Sequence, residues 1–272
     1  MGYYITVEHG VDIYVNDVGP SDGKPIVFIH GWPQNNKIFE YQYNQLPKWG
    51  YRCIGIDLRG FGKSDKPWSG YSYDRLADDI RVILENIRVN NIILAGHSMG
   101  GAIVIRYMAR HMGYKVRKLA LLAAAAPIFT KRPGFPVGLT NMTKEDVNKL
   151  IVQTYTDRPE MIKEFGEKFF YQPVSDSFAN WVQSLALEAS GNATARTAVS
   201  LRDEELWRDL SMIRVPTGIF HGIHDVICPF PLAEAMNNEI RHAELIPFMN
   251  SGHGLFYCEM DKFNYEFARF SN

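Results

Sequence analysis

Residues 91–101 constrain the fold of this chain more than any other stretch, because they set a serine at a strand-to-helix corner. Ile92, Ile93, Leu94 and Ala95 form a short continuous apolar run, the pattern of a strand buried on both faces of a parallel sheet. From Ala102 to Ala109 the residues are apolar on nearly every side, so the helix that follows is also buried, against that sheet. Between them stands Gly96-His97-Ser98-Met99-Gly100. Its glycines allow a tight turn in which the two backbones approach closely while the serine is held in strained geometry. Such a turn points Ser98 Oγ outward. The helix N-terminus beside it offers free N–H groups and the positive end of a dipole to a developing negative oxygen.

The rest of the chain alternates around that corner. Tyr3–Glu8 and Val11–Asn16, separated by His9-Gly10, read as a hairpin of two edge strands. Ile26–Ile29 and Arg52–Asp57 are buried-type strands with a helical stretch around Phe39–Leu46 between them, and Tyr73–Ile87 has a helical period. Leu119–Ala125 reads as a further strand, followed by a break in the alternation. Residues 127–213 instead carry helical segments near Lys144–Thr156, Glu160–Tyr171 and Phe178–Leu187. This is an insertion rich in aromatics, suited to cap an apolar pocket. Alternation resumes with a strand at Thr217–His221, a helix around Leu232–Met236, a strand at Ala243–Ile246 and a final helix from about Leu255 to Phe270. The expectation is an α/β core of residues 1–126 and 214–272, with a parallel sheet and right-handed crossovers, and a helical cap at 127–213.

A formal charge of −1 gives no basic footprint, so neither nucleic acid nor an anionic membrane is an expected partner. No apolar run approaches the length of a membrane span. The three cysteines, Cys53, Cys228 and Cys258, lack the spacing of a disulfide framework or a zinc knuckle and read as reduced thiols of a cytoplasmic protein. Assembly into a homo-oligomer is left open. Gly62-Lys63-Ser64 resembles the end of a phosphate loop, but Asp57 occupies the position where that loop needs its first glycine. Gly60 and Gly62 are read as turn residues. His221, His224 and Asp225 have no matching set of metal ligands elsewhere, and no metal site is expected.

Ser98 needs a base, and the base needs an orienting acid. In open α/β sheets such groups sit on loops at the carboxyl ends of strands. Among eight histidines, His253 in Ser251-Gly252-His253-Gly254 lies in a flexible loop after the last strand and is the expected base. His97, though adjacent to Ser98, is expected to project into the core, and His30 to brace the loop before Trp32. Asp225 follows a strand end directly, whereas Leu122–Pro127 holds no carboxylate. The order Ser98, Asp225, His253 is that of nucleophile-elbow hydrolases.

These residues, with His30-Gly31-Trp32-Pro33, Asp57–Asp65 and Asp225-Val226-Ile227-Cys228-Pro229-Phe230, resemble the α/β-hydrolase fold family along the whole chain. The closest likeness is to its bacterial aryl esterase and cofactor-free haloperoxidase branch. That resemblance implies a mostly parallel eight-stranded sheet flanked by helices and a serine carboxylesterase acting on small-molecule esters without a cofactor. It implies an oxyanion hole from the N–H groups of Trp32 and Met99, and a substrate pocket including Trp32, Phe129, Ile227 and Phe230. It also implies a perhydrolase side activity, for which Pro33, by restricting how Trp32 presents its backbone, is a candidate determinant. Ser98 argues against the aspartate-nucleophile members, and His97 stands where relatives often carry Phe. A slow-turnover receptor, or a carbon–carbon bond hydrolase or lyase with the same triad, remain as alternatives.

Overall fold

Eight strands form one sheet in the computed structural model, which describes residues 1–136 and 138–272. They are β1 (Gly2–Glu8), β2 (Val11–Val18), β3 (Lys24–Ile29), β4 (Tyr51–Ile56), β5 (Ile92–His97), β6 (Val116–Leu122), β7 (Thr217–Gly222) and β8 (Ala243–Phe248), in the order β1-β2-β4-β3-β5-β6-β7-β8. Pairing from β4 through β8 is parallel throughout. The hairpin of β1 and β2 is attached to β4 through an antiparallel β2. Thus β2 is an interior strand rather than a second edge, and its Val11, Ile13 and Val15 face the core.

Every residue of β5 is buried, as its unbroken apolar run requires. Register aligns Ile29 with Gly96 and His97 with Leu122, so the loops leaving β3, β5 and β6 emerge at one end of the sheet. The helices are α1 (Glu40–Gln45), α2 (Tyr73–Asn86), α3 (Met99–Arg110), α4 (Lys144–Thr156), α5 (Arg158–Gly166), α6 (Asp176–Leu187), α7 (Gly191–Asp203), α8 (Trp207–Met212), α9 (Pro231–Glu239), α10 (Leu255–Cys258) and α11 (Met260–Ser271). One layer on the sheet consists of α2, α3, α8 and α9, each against the next. In another, Phe267 of α11 stacks on Phe28 of β3 at 5.9 Å and packs on Phe220 of β7 at 5.6 Å between ring centroids. Among the described residues no helix is long and apolar enough to cross a membrane.

Several boundaries differ from the sequence expectations for local reasons. The run expected to be strand to Ala125 ends at Leu122, because Ala123 takes a left-handed φ of 45° and turns the chain. Ala124 then packs so close to α3 that a Cβ on Gly101 would come within 2.4 Å of its side chain. Between β6 and β7 the first and third expected segments hold, but α5 stops at Gly166 and the helices α7 and α8 are additional. The final helix is broken at Glu259, whose φ of −119° and ψ of 53° separate α10 from α11. The insertion is drawn together at a neck, where Ile128 pairs antiparallel with Glu205 and the Leu206 N–H donates to the Pro127 carbonyl at 2.9 Å. Past that neck α8 packs on α3 and α9, with the flanking helices rather than with the insertion.

Candidate active site

Ser98 sits at φ 54° and ψ −120°, a left-handed conformation that costs a non-glycine residue about 1–3 kcal/mol. The surroundings hold it there. Its N–H donates to Leu122 O at 2.9 Å, and its carbonyl accepts from Gly101 and Ala125. A Cβ on Gly96 would lie 2.4 Å from Gly100 O, and one on Gly100 would lie 2.4 Å from Ile29 O, so both glycines are required by backbone contact. A third close approach comes from the loop after β3, where a Cβ on Gly31 would lie 2.8 Å from Ser98 Cβ. The next residue, Trp32, is anchored by Nε1 donating to Thr194 O at 2.9 Å. Among the described residues neither the Trp32 nor the Met99 N–H donates to a protein acceptor, which leaves both amides free for a ligand oxygen.

His253 and Asp225 are brought together from two loops. His253 Nδ1 lies 2.7 Å from Asp225 Oδ2, and both side chains are buried. The other carboxylate oxygen accepts from the N–H groups of Ile227 and Cys228, each at 2.9 Å. An acceptor on Nδ1 fixes that nitrogen as the donor, leaving Nε2 to take a proton. The loop is pinned from the insertion, since the Gly254 N–H donates to Phe169 O at 2.9 Å and the Phe169 ring meets His253 edge-on at 5.2 Å.

Three further histidines are wholly buried around this pair. His30 Nε2 accepts from the Leu58 N–H at 3.0 Å and its Nδ1 lies 2.9 Å from Gly31 O, so it braces the loop carrying Trp32. His221 Nε2 donates to Cys228 O at 2.6 Å and stands 3.5 Å from Asp225 Oδ2. His97 lies over His253, ring centroids 4.7 Å apart. Burial, first of all, holds all three below the ordinary imidazole range. His224 is turned away, its ring stacked on Tyr171 at 3.7 Å. Asp57, which stands where a phosphate loop needs its first glycine, accepts from the N–H groups of Asn36 and Lys63, and the left-handed Gly62 gives it room.

Of the cavities that the insertion helps to line, the one of about 640 Å³ against Pro33 and Gln34 holds none of the expected pocket residues, and two others do. A recess of about 10 Å³, room for one water, is lined by Trp32, Phe129, Val147, Leu150, Phe165 and Ala198, with Leu201 beside them. An open groove of about 250 Å³ between α4 and α5 shares Phe129, Leu150 and Phe165 with it and reaches Val226 and Ile227. Of the four residues expected to form the pocket, Trp32, Phe129 and Ile227 therefore line these spaces. Phe230 lines neither. It precedes Pro231 at the start of α9, and its ring sits edge-on to His221 at 5.9 Å. Sequence reading missed Phe165, whose ring meets Trp32 edge-on at 5.0 Å; it stood out only as one of several aromatics in the insertion.

Comparison with known proteins gives the same architecture. The chain is 51% identical over its full length, and the full length of the relative, to the AB hydrolase superfamily protein YisY of Bacillus subtilis (strain 168). The solved structure of an esterase from Exiguobacterium antarcticum superposes with a TM-score of 0.95 at 44% identity, covering 100% of this chain and 99% of that one. A bromoperoxidase from Bacillus anthracis does so with a TM-score of 0.93 at 30% identity, over 99% of both chains. A family model described as the alpha/beta hydrolase fold matches residues 24–258, and the chain belongs to the α/β hydrolase fold family.

Proposed function

We propose that this chain is a serine carboxylesterase that cleaves small esters with a modest apolar acyl group through an acyl-enzyme. Ser98 Oγ attacks the acyl carbon while its proton passes to His253 Nε2, and the developing oxyanion is held by the N–H groups of Trp32 and Met99. Collapse of the tetrahedral species returns that proton to the departing alkoxide. Water then repeats the sequence in reverse, with His253 as base, and frees the acid. Asp225 keeps the Nδ1–H tautomer and stabilises the imidazolium formed in each half. Hydrogen peroxide in place of water would give a peracid, in line with the bromoperoxidase relative.

The observation that carries this reading is the 2.7 Å His253–Asp225 hydrogen bond beside a serine at a strained elbow. The small recess against Trp32 and Phe129 favours a short acyl group, and the groove beyond it favours an alcohol of larger size. Of the expected insertion 127–213, the part beyond the neck at Ile128 and Glu205 acts as the cap, and three free cysteines suit a cytoplasmic setting. The test is hydrolysis of p-nitrophenyl acetate with the Ser98→Ala variant, which should lose turnover by a factor of order 10⁶. An organophosphonate should label Ser98 alone. Turnover near that of the parent chain in Ser98→Ala would reject the nucleophile, and a stall after about one equivalent of product would favour a receptor over an enzyme.

A further inference from the structure

His97 is the last residue of β5, so the turn that sends Ser98 outward carries the preceding side chain the opposite way. There it meets the other two loops of the site. Nε2 lies 3.2 Å from the carbonyl oxygen of His253, and a carbonyl only accepts, so the proton is on Nε2. Nδ1 then holds a lone pair. It has no partner among the described residues and lies against Gly31, where a Cβ would be 2.9 Å away. Phe39, Phe169 and Phe256 enclose the ring at 6.4, 5.6 and 5.0 Å between centroids, Phe169 also bearing on His253. The imidazole is thus wedged between the glycine before Trp32 and the backbone of His253, and it spends its one N–H on the latter.

We propose that His97 is a positioning residue for His253: its Nε2–H, bonded to the His253 carbonyl, sets the height of that loop so that Nδ1 meets Asp225 and Nε2 faces Ser98. This rests on the esterase reading for the role of His253 but not for the contact itself. A loop built on Ser251, Gly252 and Gly254 has little conformational preference of its own. From outside it is held at Asn250 and Ser251 by Glu259 and by the His224 N–H, at Gly254 by Phe169 O, and at His253 itself, through its backbone, by His97. Losing the His97 bond leaves the His253 ring only in tilted contact with its neighbour, 4.7 Å between centroids and 51° between planes, without the donor that sets its height.

Three substitutions separate the donor from the ring. His97→Phe keeps the ring and removes the N–H, His97→Gln restores an amide donor at the reach of Nε2, and His97→Asn carries a donor that falls short. The Phe and Asn variants should lose about tenfold in kcat, the worth of one hydrogen bond, with KM for p-nitrophenyl acetate within about twofold of the parent. The Gln variant should recover most of the loss. The downfield proton signal of the His253 Nδ1–H···Asp225 bond in NMR should weaken in Phe and Asn and return in Gln. A merely structural His97 would lower the melting temperature without moving either readout. Parent-like kcat and proton signal in Phe would overturn the proposal, as would a Gln variant as impaired as Asn. Should Phe fail to fold, the Gln and Asn pair decides. If the parent chain cleaves no ester, the proton signal still decides this point, and the failure belongs to the reaction assigned above.

Discussion

Acidification from about pH 7.5 to about pH 5.5 should destabilise this fold through three histidines that are closed off from water. His30, His97 and His221 are 0% exposed, and burial is the largest cause lowering each from 6.5. Asp57 near His30 and Asp225 near His221 oppose that shift without reversing it, while His253 beside His97 reinforces it. With the folded pKa below the unfolded one, falling pH first protonates the unfolded chain, so stability present above pH 6.5 is lost below it. A histidine that titrates near 6.5 when unfolded and stays neutral when folded removes roughly 1.4 kcal/mol over that interval, so about 4 kcal/mol is the ceiling for three. Set against a typical total of about 5–15 kcal/mol, that is a large share. His111, also lowered by burial but with the Asp78 carboxylate 2.9 Å from its Nε2, adds a smaller part. Carboxylates titrate mostly below about pH 5, outside the window. Urea unfolding followed by tryptophan fluorescence at half-unit pH steps gives the slope directly, and His30→Gln should reduce it by about one proton. A free energy that changes by less than about 1 kcal/mol over the two units, or a His30→Gln variant with an unchanged slope, would refute the reasoning.

Asp225→Asn should lower ester turnover by about 10⁴ through the wrong imidazole tautomer. Asp65→Asn, whose amide oxygen can still accept the Asp12 N–H bonded at 2.8 Å in the parent, should leave turnover nearly intact, and equal losses in the two would discard Asp225 as the acid. Phe165→Ala should join the recess to the groove and shift preference from acetyl toward hexanoyl esters, by up to about fourfold in kcat/KM per methylene newly buried. An unchanged chain-length profile would remove Phe165 from the acyl site. Pro33→Leu, beside the Trp32 amide, should lower the ratio of perhydrolysis to hydrolysis on one ester, and an unchanged ratio would leave Pro33 a stiffener of its loop.

The core of the sheet was legible because β3, β4, β5 and β7 are apolar runs bounded by turn residues, and burial on two faces leaves little else for such runs to become. Position relative to strand ends was enough to single out Asp225 and His253 as a pair. What escaped did so for physical reasons. In α7 the buried residues are Ala193, Thr194, Ala195, Thr197, Ala198 and Ser200 with a single leucine, small residues whose burial leaves almost no hydropathy period. Ala123–Ala126 looks extended by composition, and only the left-handed turn at Ala123, fixed by packing against Gly101, ends the strand. The contact of His97 with His253 joins residues 156 apart in the chain, and no local pattern announces it.

The neck at Ile128 and Glu205 has an evolutionary consequence. Because the insertion leaves and returns at a clasp closed by Leu206 to Pro127, and by Thr130 and Arg132 to the Arg202 carbonyl, the strands themselves register only that its two ends meet, while the loops they carry lean on it at Phe169 and Thr194. Closing a flexible loop twice as long costs about 0.6 kcal/mol more. Lineages can therefore lengthen, trim or exchange what lies beyond the clasp while the strands that hold Ser98, Asp225 and His253 stay as they are. What such change must keep in place is two carbonyls, Phe169 O against the Gly254 N–H and Thr194 O against the Trp32 indole.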